Sequence, residues 1–294
     1  MYSYLREVAN VQGILSISEL CKWLDVGRLT YYRYWRRHAP AEEETALRDH
    51  LQRLALANPY YGSRRLSALL RREGTDANRK RVQRIMRQDN LLCLRQKKFV
   101  VTTDSEHAWG FYPNLARDLA LTRLNQLWVA DITYIRLREE FAYLAVVLDA
   151  YSRRIIGWAL DQHMRSDLTL AALRRALHDR PLAPGLIHHS DRGVQYCCSD
   201  YINLLRTYNV RSSMSRKGNP YDNAQAESFM KTLKFEQIDG RVYATIEEAR
   251  LDIVPFLECY NRQRLHSALN HRSPQEYEAD LPQAGDSYYE GAGI

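Results

Sequence analysis

A chain of 294 residues, 45% hydrophobic and 26% charged, is long enough for a full core with smaller modules beside it. It has no apolar run near the roughly 20 residues of a membrane span and opens on MYSYLREVAN without a signal-peptide stretch, so no membrane association and a cytosolic location are expected. The net charge of +7 is uneven: residues 1–120 hold 21 Lys/Arg against 13 Asp/Glu, and residues 121–294 hold 21 against 22. A basic front half beside a near-neutral rear half suggests a nucleic-acid grip joined to something else. The five cysteines, at 21, 93, 197, 198 and 259, are scattered too widely for a disulfide framework or a four-ligand zinc site, and reduced thiols are expected.

Residues 16–36 predict two short helices, SISELCKWL and RLTYYRYWRR, split at Asp25-Val26-Gly27. Ser16 or Ser18 can cap the first, and Ile17, Leu20, Cys21 and Leu24 make one apolar stripe. The second carries Tyr31, Tyr32, Tyr34 and Trp35, a composition that fits a packing or dimer contact as well as a DNA contact. After Glu42-Glu43-Glu44, a helical period runs through Leu47, Leu51, Leu54 and Ala55 until Asn58-Pro59 breaks it. YGSRRLSALLRREG and, capped by Asn78, RKRVQRIMRQDN then make a helix-turn-helix pattern. With Val82, Ile85 and Met86 inward, Arg79, Lys80, Arg81, Arg84 and Arg87 face outward, as on a helix lying in a DNA major groove.

KKFVVTTDSEHAWGFYPN has no clear period and reads as a linker. From 126 the pattern changes class: a strand over 126–136, a turn at Glu139-Glu140, FAYLAVVLDA, and RIIGWAL form an antiparallel meander. A helix over 167–178, the strand LIHH, a helix near 199–208, the strand VRSSMS and a helix from about 222 to 236 follow. Strands first and then strands alternating with helices predict an α/β fold, a mixed sheet with helices on both faces. One more helix, 245–260, precedes an ordered loop and a final turn.

Three acidic residues fall where a structural carboxylate is hard to justify. Asp131 sits mid-strand in QLWVADITYI, where an ionised carboxylate costs several kcal/mol, about 3–5, unless a cation or donor compensates. Asp191 follows the strand LIHH at its carboxyl end, the edge where ligands gather in α/β sheets. Glu227 lies one turn into a helix, on one face with Asn223, Lys231 and Lys234. Alone, each has a plain reading: a hydrogen-bonded Asp, a turn Asp, and a surface ion pair of Glu227 with Lys231. Together they offer hard oxygen donors to two divalent cations about 3.5–4 Å apart, the arrangement that serves in-line phosphoryl displacement.

These residues resemble the DDE transposases and integrases, whose core is ribonuclease-H-like, and most of all the bacterial insertion-sequence transposases with a retroviral-integrase type of core. WVADITYI, HHSDRGVQY and MSRKGNPYDNAQAESFMKTLK carry the resemblance, with 35 residues between Asp191 and Glu227 and a basic Lys234 seven after the Glu. YGSRRLSALLRREG…NRKRVQRIMR is similar to the family's helix-turn-helix, and YNRQRLHSALNHRSPQEY to its C-terminal motif. Leu265 stands where a proline is usual and Pro220 where a small residue such as Cys is.

The resemblance implies hydrolysis at the 3′ ends of a mobile element and attack of the freed 3′-OH on target DNA. Asp131, Asp191 and Glu227 would hold two Mg²⁺ ions (Mn²⁺ able to replace them), with Asp131 bridging both. Lys234 and Lys231 would grip DNA near the scissile phosphate, and His189 and Asn223 would stand behind the triad. Arg216-Lys217-Gly218-Asn219 reads either as a loop that tracks a strand or as a surface turn. Partners implied are double-stranded DNA, further copies of the chain, and an upstream reading-frame protein fused by frameshifting, on the nucleoid of a bacterial cytoplasm. The expected modules are a helical segment 1–38, a basic helix-turn-helix 47–95, a linker 96–124, a catalytic core 125–239, an integrase-like segment 240–280 and a tail 281–294.

Two readings compete with this one, and a third is of another class. A retroviral-type integrase would carry a His/Cys zinc module, and residues 1–110 hold no suitably spaced set. A ribonuclease acting on RNA–DNA hybrids would not need the basic front module. A non-catalytic DNA-binding regulator would tolerate loss of a triad member, and all three are present.

Overall fold

The computed structural model describes residues 16–38, 42–91, 93, 112–216 and 220–281. They fall in two compact units, divided between residues 94 and 95.

In the first unit, α1 (Ile17–Trp23) and α2 (Arg28–His38) form a helical pair. Ser16 and Glu19 make a capping box, so two otherwise orphaned N–H groups are satisfied reciprocally. Leu20, Cys21 and Tyr31 are buried, but Leu24, the last member of the expected stripe, is largely exposed. The helix has ended by then, and the chain turns through Asp25 at φ 48°. The next three helices are α3 (Glu42–Ala57), α4 (Ser63–Arg72) and α5 (Arg79–Gln88). Leu47, Leu51, Leu66, Leu70, Val82 and Ile85 are buried between them. Asn78 caps α5, its side chain accepting from Lys80 N–H at 2.9 Å.

The second unit is built on one sheet. Its strands are β1 (Leu127–Arg136), β2 (Phe141–Asp149), β3 (Ile155–Asp161), β4 (Ile187–Ser190) and β5 (Arg211–Met214), in the order β3-β2-β1-β4-β5. The first three are antiparallel, and β4 and β5 run parallel to β1. This is the mixed ribonuclease-H-like sheet. The strands alternate to both sides, so two cores form. On one face Leu127, Val129, Ile135, Leu144 and Val146 pack with α9 (Ala224–Leu233) and α10 (Ile246–Arg262). On the other, Trp128, Ala130, Ala145 and Val147 pack with α6 (Ser166–Asp179) and α8 (Ser199–Thr207), α7 (Val194–Cys197) lying between β4 and α8.

Helix α6 lies close over β3 because residue 157 is glycine. A Cβ there would come within 2.2 Å of the Ala172 carbonyl oxygen and 2.9 Å of Ala176 Cβ. Backbone cannot yield as a flexible side chain can, so Gly157→Ala is expected to destabilise the unit by about 2–3 kcal/mol. Urea melts within 0.5 kcal/mol of wild type would contradict this, by the usual scatter of surface changes.

Part of the expected linker is packed. Leu115, Ala116, Leu119 and Leu121 lie against one core and Tyr112 against the other, and Leu115 N–H donates to Ser213 Oγ at 2.8 Å. These side chains cover the sheet unit without joining it, which is why no strand or helix period marks them. The helix expected over 222–236 is three pieces: a 3-10 turn (Pro220–Asn223), α9, and a π turn (Lys234–Ile238).

The C-terminal segment belongs to the same unit. The Asn261 side chain accepts from Ile155 N–H and donates to its carbonyl, both at 2.9 Å, while Arg250 donates to the Leu160 carbonyl at 3.0 Å. Arg264 forks onto Glu236 through Nε at 2.9 Å and Nη2 at 2.6 Å. Ser273 and Glu276 form a capping box on α11 (Pro274–Ala279), whose Glu278 accepts from Arg180, Arg154 and Ser152. Leu265, where the family pattern has proline, is fully buried. None of the described helices is long and apolar enough to cross a membrane.

Candidate active site

Strand register sets the first two carboxylates. β1 pairs with β4 through Leu127↔Ile187, Trp128↔His188 and Val129↔His189. Asp131 and Asp191 each stand two residues beyond that last pair, so both lie at the level where β4 gives out. Asp131 lies on the side covered by α9 and α10, the side to which its neighbours Val129 and Ile135 turn.

Asp131 keeps a partly accessible edge, yet the protein around its carboxyl removes most of the water. Burial, then the negative charge of Asp191 and, less, that of Glu227 push its pKa up to about 8, against the Ile132 N–H and the Lys234 ammonium. Ile132 N–H donates to its Oδ1 at 2.8 Å. With its pKa so raised, this carboxyl keeps its proton at a pH where a free carboxyl has lost it.

Asp191 Oδ1 accepts from Gly193 N–H at 2.9 Å, closing the turn after β4. A Cβ on Gly193 would stand 3.0 Å from that oxygen. Arg192 Nε donates to the Ser215 carbonyl at 2.8 Å and ties the turn to the end of β5. Glu227, half-buried in the first turn of α9, has Oε2 3.4 Å from Lys231 Nζ, the i,i+4 pair its spacing predicts.

The supporting residues divide. Asn223 is buried and donates from Nδ2 to the Ala130 carbonyl at 3.0 Å, one residue before Asp131. It occupies the N-cap position of α9 without capping it, since its amide is turned to β1. His189 is buried between Ser213 Oγ at 2.8 Å and Ser215 Oγ at 3.0 Å, fastening β4 to β5. Burial lowers its pKa to about 4, and that of His188, bonded to the Tyr201 hydroxyl, to about 3, so both rings are neutral at pH 7.

Among the basic residues, Lys231 is exposed. Lys234 opens the π turn, with Nζ 4.2 Å from the centre of the Tyr134 ring. Burial lowers its pKa, against the charges of Asp239 and Asp131. Arg216 is engaged by Asp222, which accepts from its backbone N–H at 2.8 Å and from Nε and Nη2 at 3.0 Å. That pairing, with burial opposing it, takes Asp222 down to about 2. Lys217 lies outside the described residues. On α5, Arg79, Lys80, Arg84 and Arg87 are exposed and Arg81 half-buried. Arg84 also spans to Glu44 on α3 at 3.1 Å, so this side chain helps fix the helices it was expected to leave.

The donor set is all oxygen, which suits a hard divalent ion. The carboxylates are not already gathered as a coordination shell: among the described residues, no group of three His, Cys, Asp or Glu could hold a metal as it stands. Each carboxylate has a local donor: Ile132 N–H for Asp131, Gly193 N–H for Asp191 and Lys231 for Glu227. Among the described residues, several buried polar atoms have no hydrogen-bond partner: Asn223 Oδ1, Thr133 Oγ1 two residues along β1, and the Tyr196 hydroxyl, which feels both Asp191 and Asp131. The residues fit an ion better than they fit its absence. Sequence reading missed the Tyr196 hydroxyl and the Glu236–Arg264 pair, since both depend on parts of the chain brought together only by the fold.

The chain matches the family "Integrase core domain" over residues 122–220, a second family of that description over 208–274, and "HTH-like domain" over 42–99. It is 38% identical over 266 residues to the Insertion element IS600 uncharacterized 31 kDa protein of Shigella sonnei, covering 88% of this chain and 97% of that one. It is 37% identical over 274 residues to Transposase InsF for insertion sequence IS3A of Escherichia coli (strain K12), covering 91% and 95%. A looser likeness, at 14% identity and TM-score 0.40 over 52% of this chain and 95% of the other, is to the HTLV-2 integrase catalytic core domain in complex with magnesium. With more than a third of its residues shared along nearly the whole of both relatives, and an integrase core following a helix-turn-helix-like domain, the chain belongs to the IS3 family of insertion-sequence transposases.

Proposed function

We propose that Asp131, Asp191 and Glu227 are the catalytic carboxylates of this transposase and together hold two Mg²⁺ ions, for which Mn²⁺ can substitute. The observation that carries the reading is the placement of Asp131, level with Asp191 two residues beyond the last β1–β4 pair, its carboxyl buried beside that second carboxyl and accepting from Ile132 N–H. Removing water and adding anions is costly unless a cation completes the group. When bound, such ions supply Lewis-acid activation of the attacking and leaving oxygens in phosphoryl transfer.

The chain's own residues do the rest. Asn223 fixes the start of α9 to β1, so that Glu227 is carried on a helix tied one residue from Asp131. Gly193 leaves the Asp191 carboxylate unobstructed, and neutral His189 holds β4 and β5 in register behind it. Lys234 and Lys231 bring positive charge beside the carboxylates, where they bind the phosphates of the cleaved strand. Arg79, Lys80, Arg81, Arg84 and Arg87 of α5 contact duplex DNA at the element ends, and Arg216 with Lys217 borders the strand. The protein works as two or more copies on paired ends, with an upstream-frame partner, on the bacterial nucleoid.

Duplex oligonucleotides carrying the element's ends test the reading. Incubation with Mg²⁺ or Mn²⁺ is expected to yield free 3′-OH ends and joined products, and EDTA to abolish both. Equal cleavage in EDTA would overturn it.

A further inference from the structure

Beyond Asp131, β1 continues past the end of β4 with β2 beside it, and its outer residues are not a plain polar edge. Tyr134 is 46% exposed and Phe141, on β2, 40% exposed. Their rings meet edge to face at 5.7 Å. Lys234 Nζ sits 4.2 Å from the Tyr134 ring centre, and the Arg136 guanidinium 5.8 Å from that of Phe141. The result is a strip that reads cation, ring, ring, cation, and its first member is the lysine that acts on Asp131.

A cross-strand aromatic pair that only steadies the hairpin would account for part of this. The register sets Arg136 opposite Phe141 and Tyr134 opposite Tyr143, which makes the two rings diagonal neighbours. It does not account for Lys234, which arrives from another element at the π turn and gives up hydration to lie there. Nor does it account for two large rings left open to water on the sheet face opposite Asp131, joined to the carboxylate site through Lys234. Exposed rings flanked by cations are the chemistry of single-stranded nucleic acid binding: rings take bases whatever their sequence, and cations take the phosphates beside them.

We propose that Lys234, Tyr134, Phe141 and Arg136 form a stacking strip for an unpaired nucleotide of the DNA strand flanking the cleaved bond. The base lies on the Tyr134–Phe141 pair and the phosphates meet Lys234 and Arg136. The strip rests on the reading that the Asp131 site cleaves DNA. It adds that the duplex must be opened at the cut, because a paired base cannot offer its face to a ring.

Two measurements separate the strip from that reading. In EDTA, where nothing is cleaved, 2-aminopurine is placed in turn at each of the three positions either side of the cut in an element-end duplex. Its fluorescence is expected to fall on binding at one or two adjacent positions, and Phe141→Leu to remove that quenching without changing the protein's melting temperature. In Mg²⁺, an abasic residue at the same position is expected to slow single-turnover cleavage by wild type about 5- to 10-fold, the low end of a base–aromatic stack. Phe141→Leu should show that loss on intact DNA and no further loss on the abasic duplex. An even response at every position, with wild-type cleavage intact, overturns the strip and leaves the active site standing. Quenching without any cleavage supports the strip and overturns the nuclease reading.

Discussion

Asp131→Asn is expected to leave binding to element ends within about twofold and to abolish Mg²⁺-dependent cleavage, by at least about 1,000-fold, the scale of losing a main electrostatic stabiliser of the transition state. Asn keeps the shape and the contact with Ile132 N–H but cannot supply the negative oxygens a divalent ion needs. The same change should raise the stability of the metal-free protein at neutral pH. An acid whose folded pKa is raised, here from 3.8 to about 8, binds its proton more tightly in the folded state. Wild-type stability should therefore fall as pH rises from about 4 towards 8, and the Asn variant should lack that slope. At pH 7 the difference should be about 2 kcal/mol, reduced from the full linkage value for the water its open edge admits. Urea melts in EDTA at pH 5 and pH 7.5, beside a gel of cleaved ends, would show it. A variant that still cuts would remove Asp131 from the mechanism.

Glu236→Ala is the second large effect, expected to destabilise the core unit by about 3 kcal/mol, because it strips its bidentate carboxylate from an arginine that stays buried. Arg264 is 7% exposed, so its charge has little access to water once the partner is gone. Replacing both, as Glu236→Leu with Arg264→Met, should recover most of the loss, since no charge is then buried. Glu236 lies in the π turn that Lys234 opens, so Glu236→Ala should also lower cleavage more than end binding. A urea midpoint unchanged by Glu236→Ala would show that the pair contributes nothing.

Much of this site could be read from residue order. An apolar strand interrupted by Asp131, an Asp after LIHH and a Glu one turn into a helix were enough to nominate the three acids, because strand and helix periods are local properties. The helix-turn-helix was equally plain, since Asn78 and the Val82, Ile85, Met86 stripe mark its second helix on both ends and one face. What could not be read depends on partners far along the chain. Asn223 looks like a helix cap and instead bonds to Ala130, 93 positions earlier. Glu236, just past the block that ends at Lys234, and Arg264, in the C-terminal motif, are 28 apart with no visible tie between them. The widening of α9 into a π turn from Lys234 onward leaves no mark in composition. The exposed rings at 134 and 141 pass, in sequence, for ordinary strand formers.

The outer side of β3 is clad by α10: the Asn261 amide takes both backbone groups of Ile155, and Arg250 takes the carbonyl of Leu160. A strand with backbone groups near both its ends already taken by side chains is a poorer template for pairing with a strand of another copy along that border.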